Sequence, residues 1–204
     1  MSDKENQNEV ASEVASKVKS TLSDAIQGLK IFLINPVGGL PVFFQGLGKE
    51  RALGVGIAFG IVYIVCFVLA CQKLLALLPQ SQSSLLNLIL ASSANFLSIA
   101  GASFLTRKLF RGYGSFQGDI FIAGVALVPA SLLLLLSSIL GIMNVEMIVI
   151  VMVVAITYTI LMIYTGCHKI SGIPENAAAL SVSVMLLLSG WSFKILVLSS
   201  IFRS

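Results

Sequence analysis

Six residues within or beside long apolar stretches carry side chains, or a backbone peculiarity, that could matter in a membrane: Asn87, Asn95, Asp119, Pro129, Glu146 and Lys194. Ionisable groups at such positions are functional suspects by default, as parts of proton or ion relays, because hydrocarbon tolerates them badly. Their spacing argues for a plainer role. Glu146 opens one apolar stretch, and Lys194 lies toward the corresponding end of another, beside Trp191, where an interfacial belt would sit. An ammonium left at mid-span costs roughly 2.5–3.5 kcal/mol. Lys194 is therefore expected to snorkel outward and to pair with Glu146. Asp119 follows Arg107, Lys108 and Arg111 in one inter-span loop, where an ion pair would ease its cost at a membrane surface. Asn87 and Asn95 can hydrogen-bond across helices, worth about 0.6 kcal/mol apiece. Pro129 lacks a backbone donor and is expected to kink its helix, making room for neighbours rather than a gate.

None of these residues assembles into a catalytic, cofactor or metal site. His168 is the only histidine and has no clustered cysteine or carboxylate partner, so a zinc site of the usual type is not expected. Cys66, Cys71 and Cys167 give no disulfide framework and read as buried, inert thiols. Intramembrane proteolysis would call for a Ser/His pair, paired aspartates or HExxH within the spans, and none is present. The expectation is a chain that is not an enzyme and carries no cofactor.

The elements that position these residues are five apolar stretches, at 52–71, 85–105, 120–143, 145–166 and 177–201. Each has about the 20 helical residues that a hydrocarbon core requires. With 57% hydrophobic and only 11% charged residues, a soluble domain is not expected, since such domains carry about 25% charge. The net charge of +4 does not signal nucleic acid: residues 1–51 hold six basic and six acidic side chains, and no basic patch exists. The polar start, without a basic and apolar leader, does not read as a cleavable signal peptide.

Residues 1–9 read as a disordered polar N-terminus, and 10–51 as a cytoplasmic amphipathic or interfacial helical region. Ala11, Val14, Ala15, Val18, Leu22, Ala25, Ile26, Leu29 and Leu33 share one helical face, which would lie on the bilayer or pack on a partner or a second copy. Asn35 and Pro36, then Gly38, Gly39 and Pro41, are expected to end that helix in a turn, with Val42, Phe43 and Phe44 re-entering toward the bilayer. Loops on the N-terminal side hold seven basic residues against two on the other, which predicts a cytoplasmic N-terminus and an outside C-terminus. The turn at Met143 and Asn144 is short enough to force an antiparallel hairpin. Small residues should mark the helix seams, and Gly56 with Gly60 forms a GxxxG expected to serve bundle packing.

The pieces resemble the Ypt-interacting-protein (Yip) domain family of five-span membrane proteins. The carrying residues are Ile34, Asn35 and Pro36 with Pro41, Val42, Phe43 and Phe44. With them go Arg111, Gly112, Tyr113, Gly114, Ser115 and Phe116, and the run from Gly124 to Pro129. The resemblance covers about residues 30–201 and implies an all-α polytopic bundle of five transmembrane helices after an amphipathic helix. Eukaryotic relatives bind Rab-type small GTPases in ER–Golgi traffic. The short N-terminal region and the missing Asp-Leu-Tyr-Gly-Pro type motif leave GTPase binding unsupported here and point to the prokaryotic branch. The expected membrane is a prokaryotic inner membrane, with ER or Golgi as the alternative. The expected role is a non-enzymatic membrane organiser or adaptor, its partners being the bilayer and homo- or hetero-oligomers with other membrane proteins. A transporter or channel component is one alternative, and lipid handling or membrane shaping is another. An internal repeat of transporter type is not evident.

Overall fold

The computed structural model describes residues 2–75, 84–140 and 145–201. It is all-helical, with no strand among the described residues: α1 (Ser2–Ile34), α2 (Pro36–Leu75), α3 (Leu85–Leu109), α4 (Phe116–Ile139), α5 (Val145–Thr165), a π-helical turn (Gly166–Ile170) and α6 (Glu175–Ile201). Among the described residues four helices are long and apolar enough to cross a membrane, within Val37–Leu74, Leu85–Leu109, Phe116–Ile139 and Glu146–Ile170. Their outward faces carry large exposed apolar side chains, such as Ile57, Ile61, Val65 and Leu69 along α2 and Val149, Val153, Ile156 and Ile160 along α5. Surface of that kind is compatible with a membrane protein, because water-facing patches are rarely so extensive. The turn at Met143 and Asn144 lies outside the described residues.

Two local features depart from the sequence expectations, both after α1, which begins at Ser2. The break after Ile34 does fall at Asn35 and Pro36, but Gly38, Gly39 and Pro41 are not a turn. Asn35 Oδ1 accepts from the Gly38 backbone N–H at 2.8 Å, capping α2, and Pro36 sits at the first helical position, where its missing N–H is harmless. The chain bends instead at Gly48, whose φ of 72° and ψ of 170° belong to glycine almost alone. α2 is thus two helices in one.

Helix α4 is the hub. It packs on α2, α3 and α5, while α6 lies mainly on α3 and α1 on α2. Gly118, Asp119 and every residue from Phe121 to Pro129 are buried, so Pro129 is enclosed within a helix that continues through it. Gly56 and Gly124 make the α2–α4 crossing a contact of backbone on backbone: a Cβ on Gly56 would meet Phe121 Cα at 2.7 Å, and one on Gly124 would overlap the Gly56 carbonyl. Gly60 faces the Phe96 ring of α3. Phe32, 2% exposed, ties α1 to the bundle through ring contacts with Phe43 (5.4 Å), Phe59 (5.9 Å) and Phe121 (6.5 Å). Ala25 and Gly28 are buried on the same side of α1. Upstream, residues 12–20 are exposed throughout. There Lys17 donates to Glu13 at 2.6 Å, a bond that with the lysine charge holds the Glu13 carboxyl below its ordinary range.

Candidate functional site

The most concentrated chemistry lies at the end of the bundle where the α3–α4 and α5–α6 connections meet. Arg107, on the last turn of α3, is 6% exposed, and Asp119, in the first turn of α4, is fully buried. Arg107 donates to Asp119 Oδ2 from Nε at 2.9 Å and from Nη2 at 2.7 Å, and its Nη1 donates to the Gly114 carbonyl at 3.1 Å. The other carboxylate oxygen, Oδ1, accepts from Ser103 Oγ at 3.0 Å and from Ser171 Oγ at 3.4 Å. Every side of the ion pair is therefore met by a partner, the condition for a buried charge to be tolerated. The expected ion pair is present and is buried within the protein, and Lys108 and Arg111 are exposed outside it.

Two loops fold over the clamp. Helix α3 ends in a Schellman arrangement, with Gly112 N donating to Arg107 O at 2.9 Å and Arg111 N to Lys108 O at 3.4 Å. Arg111 takes the left-handed position, φ 54°, where glycine is usual. Gly114 N then donates to the Ser171 carbonyl at 3.1 Å, and side chains on Gly112 or Gly114 would strike Ser171. The π-helical turn brings Ser171 to this place: Ser171 N donates to Gly166 O at 2.9 Å, five residues back. Such widened turns recur at functional sites. His168 Nδ1 lies 3.1 Å from the Ile173 carbonyl and its ring stacks on Tyr164, so the lone histidine pins the same loop. The sequence reading missed Ser103, Ser171 and Gly114 as partners, and only the glycine spacing in 111–116 hinted at so close an approach.

A second polar cluster is neutral. Asn95 Nδ2 donates to Tyr63 Oη at 2.7 Å, and Ser189 Oγ donates to Asn95 Oδ1, joining α2, α3 and α6. Ser98 donates to Ser192 Oγ at 3.0 Å beside it. Asn87 is half-buried on α3, away from these bonds. Thr157 is exposed and bonds its own helix at Val153 O. Glu146 and Lys194 form no ion pair. Both are exposed, and the Lys194 ammonium lies 6.0 Å from the Trp191 ring centre instead. An exposed lysine needs no carboxylate when an aromatic face and the surroundings serve it.

A third feature is a cleft of about 690 Å³ between α1 and the first half of α2, lined by Asp24, Gln27, Ile31, Ile34, Val42, Leu47 and Arg51 among others. No group of three or more His, Cys, Asp or Glu side chains among the described residues is placed to hold a metal ion. No family model, curated protein or solved structure matches this chain.

Proposed function

We propose that the chain is a non-enzymatic integral membrane protein of the Yip-domain type, which organises or adapts other membrane proteins through its bundle and its N-terminal helix. In this reading α6 is the fifth span, with Trp191 and Lys194 at the far interface. The seven-to-two distribution of basic loop residues supports a cytoplasmic N-terminus, and a prokaryotic inner membrane is the setting. Arg107 and Asp119 serve as a structural clamp: all three guanidinium nitrogens and both carboxylate oxygens are engaged with each other or with protein partners, which suits a fixed pair rather than a relay.

The observation that carries the reading is the division of α1. Its C-terminal part is docked by Ala25 and Phe32, while Val14, Val18, Leu22 and Ile26, at four-residue spacing, stay 53–61% exposed. A helical stripe of that kind is how a groove in another protein reads a helix. A photo-crosslinking residue at Val18, in native membranes, should give covalent adducts with a second membrane protein or a second copy. The same probe at Ser16, off the stripe, should give few. Monomer alone from both positions would overturn the proposal.

A further inference from the structure

We infer that the cleft between α1 and the first half of α2 binds one membrane phospholipid whose zwitterionic headgroup bears an ammonium group, of the phosphatidylethanolamine type. The inference requires α2 to enter a bilayer but does not require the adaptor reading. Its volume of about 690 Å³ falls within the roughly 300–1,000 Å³ of small-ligand sites. Beside the polar Gln27 and Asn35, much of its wall is apolar and uncovered: Ile34 is 86% exposed and Val42 71%, with Leu47 between them and the bend at Gly48. An acyl chain is the occupant that such walls accept from a membrane.

Headgroup preference follows from the rim. Asp24 and Arg51 both line the cleft, and their closest charged atoms are 3.9 Å apart, beyond hydrogen-bond length. Arg51 immediately precedes the apolar run that starts at Ala52, the level at which headgroups lie. The guanidinium presents its planar fork to a phosphate, and the Asp24 carboxylate accepts from a neighbouring ammonium. A purely anionic headgroup would satisfy Arg51 but face Asp24. A choline would reach Asp24 without an N–H to donate. Asp24 also lies on the other side of α1 from Leu22 and Ile26, so the cleft and the exposed stripe are separate surfaces.

The test uses the full chain in nanodiscs holding equal amounts of phosphatidylethanolamine, phosphatidylglycerol and phosphatidylcholine, released for native mass spectrometry. One ethanolamine lipid should remain bound, in roughly tenfold excess over either other lipid. Gly46→Leu should fill the cleft and reduce that adduct about tenfold. A Cβ at Gly46 meets nothing within 4 Å, so circular dichroism and monodispersity should match wild type. Should that variant misfold, Val42→Gln makes the same wall polar at an exposed position. Asp24→Asn should abolish the preference for ethanolamine over glycerol headgroups, and Arg51→Ala should weaken retention of both. Undiminished retention in the folded wall variant would overturn the inference, as would an unchanged headgroup ratio in Asp24→Asn. Displacement of the lipid by inorganic phosphate, or a second copy of the chain in place of lipid, would do so equally.

Discussion

The α2–α4 seam and the α3–α6 seam solve the same problem with opposite materials. Between α2 and α4 the backbones touch at Gly56 and Gly124, and α4 carries Asp119 into a charged clamp with α3. Between α3 and α6 the contact runs through Asn95, Ser189, Ser98 and Ser192, all neutral and part-buried. Without a hydrophobic force between helices in lipid, close packing and hydrogen bonds are the available means of association. The comparison teaches where a charge can be kept. It is kept at the hub, where two loops and two serines meet every lone pair. At the periphery only amides and hydroxyls are used, and these can exchange partners cheaply.

That contrast can be broken most directly at the clamp. Asp119→Ala leaves the Arg107 guanidinium buried and unpaired, and should destabilise the protein by about 3–5 kcal/mol, read by denaturation in mixed micelles. Combining Arg107→Met with Asp119→Leu should recover most of that loss, since an apolar pair of similar volume removes the stranded charge. Next in size, Gly124→Val forces a side chain against the Gly56 carbonyl and should cost roughly 1–3 kcal/mol. Gly101→Ala, at an exposed site on α3 with nothing near its Cβ, should be neutral or slightly stabilising in the same assay. At the other seam Asn95→Ala should lose only about 0.6 kcal/mol; a loss as large as that of Asp119→Ala would erase the distinction between the seams. The smallest effect sharpens it: Arg111→Gly relieves a left-handed residue at the end of α3 and should raise the midpoint slightly, by up to about 1 kcal/mol.

The helices were legible because hydropathy and length are local properties, and the end of α1 was legible because Asn35-Pro36 is both a cap and a first turn. Gly38, Gly39 and Pro41 misled for the same reason that glycine and proline are informative: they permit a turn without requiring one. Once Asn35 capped the next helix, the bend moved to Gly48. Arg107 and Asp119 were visible as a charge pair, twelve residues apart across a loop. Their depth was not, because it depends on the π-helical turn that delivers Ser171 from another connection. Thr165, just before that turn, is buried with its hydroxyl unpartnered, a detail set by packing rather than by composition. The Glu146–Lys194 pair failed because sharing an end of the bundle does not make two side chains neighbours. Asn95 was singled out correctly as polar within an apolar run, but Tyr63 and Ser189 as its partners come only from the arrangement of three helices.

The clamp also imposes a schedule on biogenesis. Arg107 and Asp119 are close in the chain, so their bond can form as soon as the α3–α4 hairpin exists, with little loop entropy to overcome. The last partner, Ser171, is fifty-two residues beyond Asp119 and arrives only after α5 has been made. A nascent chain halted between the two would hold a paired but incompletely sealed charge. Completion of the seal marks the point at which α1 to α5 and the loop after them become a single unit, before α6 is added along the flank.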